Sequence, residues 1–245
     1  MKIRSVILVA VTATFLLSSA SFNEINAQQK PTTFKLGFSE KFYDDLDLAN
    51  RFPSEIEVIK QKQNDKAKIA NLDVLFVGSS SIRGWRSVYE DMSPLKVINN
   101  GFGGATIRDI LYHYDIVVKP FKAKKIVLYV ENDISINAKI ELYELFDLFR
   151  VFANKVKNDF PDSKLYFVSF KPSPARKNVE YKQIIINELL KGYAQKKENI
   201  EYIDIASPMK ASYGTDTTLF LNDKLHMNRK GYEIWIKVLK PELLK

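Results

Sequence analysis

The chain has no cysteine. That excludes a disulfide framework, a thiolate metal site, a cysteine nucleophile and bacterial lipoprotein processing. It has only two histidines, His113 and His226. Without cysteine beside them they argue against a structural zinc site, and a mechanism with a histidine base has two candidates. No basic stripe interleaved with aromatics is present, and no nucleic-acid motif. The net charge of +8 therefore reads as a solvated basic surface. There is no internal repeat and no linker. Apart from one segment near the start, no run is apolar and long enough to suggest a membrane span.

What is present is the composition of one globular domain: 245 residues, 46% hydrophobic and 27% charged. Met1-Lys2-Ile3-Arg4 is a basic n-region. Val6 to Leu17 is an apolar h-region too short for a comfortable transmembrane helix, and small residues follow it. Residues 1–27 are expected to be an export signal, cut after Ala20 or after Ala27; an uncleaved anchor is the alternative. Cutting after Ala27 removes Lys2, Arg4 and Glu24 and leaves a charge of +7. The mature protein is expected in the periplasm or medium, as a monomer with no stable membrane anchor. Residues 28–52 show no periodicity and read as an N-terminal arm, and residues 53–245 as the folded domain.

Within that domain, apolar runs alternate with amphipathic segments. Val74–Val77, Lys96–Asn99, Ile126–Val130, Leu165–Phe170 and Ile200–Ile205 read as strands, short and apolar throughout, as when both sheet faces are covered. Pro53 suits the first turn of a helix. Thr106-Ile-Arg-Asp109 reads as a capping box ahead of Ile107, Ile110, Leu111 and Tyr114. Leu142, Leu145, Phe146, Phe149 and Phe152 form a second stripe, and Ile185, Ile186, Leu189, Leu190 and Tyr193 a third. Gly231 to Leu239 reads as a last helix. The alternation predicts an α/β fold: a mostly parallel sheet with helices on both faces.

Ligands of such sheets bind beyond the carboxyl ends of the strands. Three of those ends carry unusual loops: Gly78-Ser79-Ser80-Ser81, Asn99 to Gly104, and Glu131-Asn132-Asp133. Common templates do not fit them. A nucleophile elbow would need glycine where Ile82 stands. A P-loop would need lysine where Trp85 follows Gly84, and the dinucleotide fingerprint fails at Thr106. Toward the other end, "NDKLHMNRKGY" holds Asp223 and His226 three residues apart, a spacing that puts both side chains on one side of a turn. The carboxylate can then hold one ring nitrogen and leave the other free as a base. A turn-capping aspartate beside a surface histidine fits the same spacing. His113, between Tyr112 and Tyr114 in a predicted helix, reads as packed or surface-exposed.

Four segments together resemble the SGNH (GDSL) hydrolase superfamily, from about Pro53 onward. "FVGSSSIRGW" is similar to the nucleophile block and aligns Ser80 with the nucleophile. "VINNGFGGATIRD" matches the block whose glycine offers a backbone N–H, here Gly104. "LYVENDI" matches the Gly-x-Asn-Asp block at Asn132, and "DKLHMNRKGY" the Asp-x-x-His block at Asp223 and His226. The chain departs from the common pattern at Ser79, where an aspartate is usual, and at Val130, where a glycine is usual; Val130 bears on the shape of the cleft. "FKPSPARK" resembles a stretch found in the Gly-Ser-Ser-Ser subgroup, and its favoured reading is a turn that positions a cleft wall.

The resemblance implies a three-layer αβα sandwich of flavodoxin-like order. It implies an exported serine esterase with Ser80 as nucleophile, His226 as base and Asp223 as its orienting acid. The Ser80 and Gly104 N–H groups and the Asn132 amide would form the oxyanion hole. No cofactor and no metal are called for. A short acyl group on carbohydrate is the expected substrate, since no insertion is long enough to act as a lid over a long chain. Trp85 reads as a core residue, with stacking on a sugar ring as the alternative. A lysophospholipase or thioesterase, acyl transfer to a sugar, and a catalytically silent carbohydrate-binding module are the competing readings.

Overall fold

The apolar runs become strands because their side chains are hydrophobic on both sides of the pleat. The computed structural model describes residues 47–136 and 140–245. β1 (Leu72–Gly78), β2 (Val97–Gly101), β3 (Ala123–Tyr129), β4 (Lys164–Val168) and β5 (Ile200–Ile203) pair in parallel in the order β2-β1-β3-β4-β5. Each coincides with a predicted run. β4 and β5 stop short of theirs: past Val168 the Ser169 hydroxyl accepts the Ile205 and Ala206 N–H groups, at 2.9 and 3.0 Å, in place of ladder pairing.

The helices are α1 (Pro53–Lys62), α2 (Lys66–Ile69), α3 (Ser80–Arg83), α4 (Val88–Asp91), α5 (Ile107–Tyr112), α6 (Tyr114–Val117), α7 (Asp133–Ile136), α8 (Leu142–Asp159), α9 (Glu180–Ala194) and α10 (Arg229–Leu244). They cover both faces. On one, Trp235 of α10 meets Tyr129 at a centroid distance of 4.8 Å, within a cluster that includes Val74, Phe76, Trp85 and Leu239. On the other, Phe149 of α8 meets Phe167 at 5.6 Å. The burial of Leu145, Leu148, Phe149, Phe152 and Val156 at helical spacing explains why α8 docks there. A three-layer α/β sandwich results, as expected.

Three details differ from the sequence reading. The third apolar stripe is narrower: Ile186 and Leu190 are buried, but Ile185 and Leu189 are 43% and 37% exposed. α9 lies against the sheet along a thinner edge than five apolar residues imply. The helix after Thr106 breaks at His113 and restarts as α6, so Tyr114 reaches the core from a second segment. The last helix extends beyond Gly231–Leu239 at both ends. The expected export signal lies outside the described residues, as does the expected arm except for residues 47–52. Leu48 of that stretch is buried, and Phe52 packs edge-on to Phe102 at 5.2 Å. Among the described residues, no helix is long and apolar enough to cross a membrane.

Candidate active site

Pairing fixes the ends of three strands at one level, because Gly78 of β1 is in register with Gly101 of β2 and with Tyr129 of β3. The close approach needs a residue without a side chain: a Cβ on Gly78 would lie 2.0 Å from the Tyr129 carbonyl oxygen. Ser80, Gly104 and Asn132 each follow within three residues of that line, on the three loops singled out by their composition.

The three serines end up in different places. Ser79 is buried, and its N–H donates to the Tyr129 carbonyl at 3.1 Å, tying the loop to β3. Ser81 is buried as well, and its carbonyl accepts the Tyr232 hydroxyl at 3.0 Å. Ser80 is half-buried, and its Oγ lies 3.0 Å from His226 Nε2. His226 Nδ1 lies 2.6 Å from Asp223 Oδ2. The other Asp223 oxygen accepts the Leu225 and His226 N–H groups, each at 2.9 Å. Burial pushes the Asp223 carboxyl up, but the His226 ring and those two N–H donors outweigh it and hold it down at about 2. It stays ionised at neutral pH and faces Nδ1, which leaves Nε2 toward Ser80 as the acceptor.

The Asp223 turn is held from both sides. Lys224 takes φ 56° at its apex, and the Leu221 N–H donates to the His226 carbonyl at 2.8 Å. Asn228 caps α10 through the Gly231 N–H and reaches back to the Thr218 carbonyl at 2.8 Å. His113 is elsewhere: it is buried between α5 and α6 beside Phe102 and Tyr112, and burial lowers its pKa.

Gly104 adopts φ 82°, a conformation that glycine takes without strain. Among the described residues, neither its N–H nor that of Ser80 donates to a backbone carbonyl. Asn132 reaches the same loop, its Nδ2 donating to the Ala105 carbonyl at 2.8 Å. The capping box that follows is formed: Asp109 accepts the Thr106 N–H at 2.7 Å, and Asp133 accepts the Ile107 N–H at 2.8 Å. The loops that follow β1, β2 and β3 thus carry the Ser80 hydroxyl, the Gly104 N–H and the Asn132 amide from one end of the sheet, the kinds of group that acyl transfer requires. Among the described residues, no group of three acidic or histidine side chains could hold a metal ion.

Two of the sequence alternatives are resolved here. Trp85 is 1% exposed, and its ring nitrogen donates to Asp91 at 2.7 Å, so it is a core residue and does not stack on a sugar. Val130 is equally buried and contributes no surface to the cleft. Other residues at the site were not legible beforehand. Phe52, from the end of the expected arm, stands over Gly104: a Cβ there would be 3.8 Å from its ring. Arg51 beside it pairs with Asp109 at 3.0 Å. Behind Asn132, Glu131 is buried and contacted at 2.6 Å by both Lys171 and Arg176, two of the three cations of "FKPSPARK". Arg176 also donates to Asn132 Oδ1.

The model of the GDSL-like lipase/acylhydrolase family matches residues 70–234. The platelet-activating factor acetylhydrolase IB subunit alpha2 of Rattus norvegicus is 28% identical over 177 residues, 69% of this chain and 73% of that protein. A GDSL-like lipase from Bacteroides thetaiotaomicron superposes with a TM-score of 0.65 at 19% identity, covering 81% of this chain and 98% of its own. An acetylxylan esterase from Geobacillus stearothermophilus superposes with a TM-score of 0.58 at 13% identity, covering 70% and 94%. At such identities the superpositions speak for the fold, while the family match spans well over half of the chain and all four motif blocks. The chain belongs to the GDSL-like lipase/acylhydrolase family, within the SGNH hydrolases, and is a carboxylic ester hydrolase.

Proposed function

We propose that the protein is an exported serine esterase that removes short acyl groups, acetyl above all, from carbohydrate. Ser80 attacks the ester carbonyl while His226 takes its proton, and His226 later returns that proton to the leaving alcohol. Asp223 fixes the tautomer and stabilises the imidazolium. The oxyanion is received by the Ser80 and Gly104 N–H groups and by the Asn132 amide; losing one such donor typically costs about 3 kcal/mol of transition-state stabilisation. The observation that carries the mechanism is the unbroken relay from Ser80 Oγ through His226 to Asp223, at 3.0 and 2.6 Å.

Two observations support a short acyl group. The Phe52 ring limits the space over Gly104, beside the proposed oxyanion site. Relatives on two different carriers are named for acetyl: the rat acetylhydrolase and the acetylxylan esterase. The first of these also favours a second reading, an acetylated glycerophospholipid as substrate. Export rests on the basic residues ahead of the apolar run Val6–Leu17. It is tested by finding the mature chain outside the cytoplasm, beginning at Ser21 or Gln28.

The substrate test is kcat/KM across esters of increasing acyl length on xylo-oligosaccharide and glycerophospholipid carriers. Acetyl-saccharide should be the best substrate, and Phe52→Ala should raise the rate on butyryl and hexanoyl esters relative to acetyl. A preference for the acetylated phospholipid transfers the carrier assignment to the second reading. A preference for long chains in the wild type would refute the short-acyl reading. Saturable glycan binding with no ester turnover would make the protein a binding module.

A further inference from the structure

Asn132 can serve an oxyanion only if its NH2 group, and not its carbonyl, faces the reacting centre. A terminal amide rotates easily and looks nearly the same either way round, so something must choose between the two orientations. Two contacts do so here. The Ala105 carbonyl accepts one hydrogen of Nδ2 at 2.8 Å. Oδ1 is met by the Arg176 guanidinium, which offers only donors. Among the described residues, the second hydrogen of Nδ2 has no protein acceptor.

Arg176 is itself constrained. Its Nη1 lies 2.6 Å from Glu131 Oε1 while its Nη2 is on Asn132. Glu131 is buried and held from elsewhere by Lys171 at 2.6 Å and by Gln183 at 3.3 Å. Gln183 also donates to the Lys171 carbonyl at 3.0 Å. The two arms of one planar guanidinium thus span adjacent residues of the β3 loop, a geometry that a lysine ammonium does not reproduce. Ala175, next in the chain, donates its N–H to the Lys224 carbonyl at 3.1 Å, so the same turn also touches the loop of Asp223 and His226.

We propose that Arg176 is a positioning residue for catalysis: anchored by Glu131, it fixes the orientation in which the Asn132 amide meets the oxyanion. This rests on the proposed oxyanion role of Asn132 and gives the Lys171–Arg176 segment a mechanical task. Glu131 and Lys171 supply the buried anchor, and none of the three touches the substrate.

The test is a double-mutant cycle read in kcat and KM on a short-chain aryl ester. Asn132→Ala should lower kcat by about 10²-fold or more, as removal of an oxyanion donor does. Arg176→Lys should lower kcat by about 10- to 100-fold with KM within about twofold. In the Asn132→Ala background the same change should cost less than about threefold, because no amide is left to aim. Glu131→Gln, which keeps Arg176 and changes only its anchor, should repeat the pattern more weakly and covers the case in which Arg176→Lys does not fold. Losses that multiply in the double variants would overturn the positioning role and leave the oxyanion assignment standing. A loss expressed in KM would overturn it in favour of substrate binding. If Asn132→Ala keeps nearly full kcat, the oxyanion reading falls and the proposal with it.

Discussion

Ser79, Ser80 and Ser81 carry the same hydroxyl, and what separates them is access. The outer two are buried while the middle one faces His226 at 3.0 Å. Hydrolysis of a short-chain aryl ester should fall about 10⁴-fold or more in Ser80→Ala, and by less than about tenfold in Ser79→Ala or Ser81→Ala. Mass-spectrometric mapping of a phosphonate adduct gives an independent readout, and an adduct on Ser79 or Ser81 in the folded wild type would refute the assignment. The histidines divide in the same way. His226→Ala should abolish activity and His113→Ala should spare it. Because Asp223 is held at about 2, it remains ionised from pH 4 upward, so activity lost on acidification in that range does not report protonation of Asp223.

At the scale of elements, catalysis is a matter of where three strands stop. Gly104 shows how finely the loop after β2 is set. Its φ of 82° suits glycine, and the space around it is open to a methyl group, the nearest neighbour being the Phe52 ring at 3.8 Å. Gly104→Ala should therefore cost conformational strain, about 1–2 kcal/mol, rather than a clash. In a domain of this size that lowers the melting temperature by a few degrees. The relaxing loop should carry the N–H off target, so kcat should fall more than KM rises; steady-state kinetics paired with a thermal melt distinguishes this from a global loss of fold. The strands and strand-end loops were readable in the sequence because each is local: an apolar run, then Gly, Ser or Asn. The Asp223–His226 pair was readable because both ends lie on one turn. The support behind Asn132 was not, since Arg176 meets it across 44 positions and nothing in "FKPSPARK" names its target. Phe52 was hidden for another reason: it ends an aperiodic arm, and only the fold puts it over Gly104. Trp85 remained ambiguous because a tryptophan in a strand–helix turn suits a core or a ligand, and packing by Tyr232, Phe76 and Trp235 decides it.

Across the whole molecule, buried carboxyls behind the site couple stability to pH in opposite directions. Asp133 is pushed up to about 6, chiefly by burial, against the pull of the Ile107 N–H and Arg108. Its folded pKa exceeds the unfolded value of about 4, so the native state binds the proton more tightly. That contribution is full below pH 4 and is lost as pH rises through about 6. At about 1.4 kcal/mol per unit it amounts to a few kcal/mol at most. Burial also opposes the charge on Glu131, but Lys171 and Arg176 outweigh it and hold that carboxyl below its usual range. Its contribution is present above the ordinary carboxylate range and disappears on stronger acidification. Between pH 7 and pH 5 the Asp133 gain is opposed by His113, whose pKa is lowered by burial and which therefore costs stability as it is acidified, so the Asp133 share is read as the difference between the denaturant midpoints of the wild type and of Asp133→Asn. That difference should grow as pH falls from 7 to 5; a constant difference would assign the pH dependence to other groups.

The distance along the chain between the proposed nucleophile and the proposed base, 146 positions, also bears on when the enzyme comes to life. All five strands of the sheet have been synthesised by Ile203, and Ser80 well before that, yet the proposed base and its carboxylate, His226 and Asp223, follow only later. A polypeptide that stalls between Ile203 and Asp223 keeps the hydroxyl but lacks both the proposed base and the Trp235 ring that α10 packs against Tyr129. On the proposed roles, then, a chain truncated ahead of Asp223 is silent rather than indiscriminate.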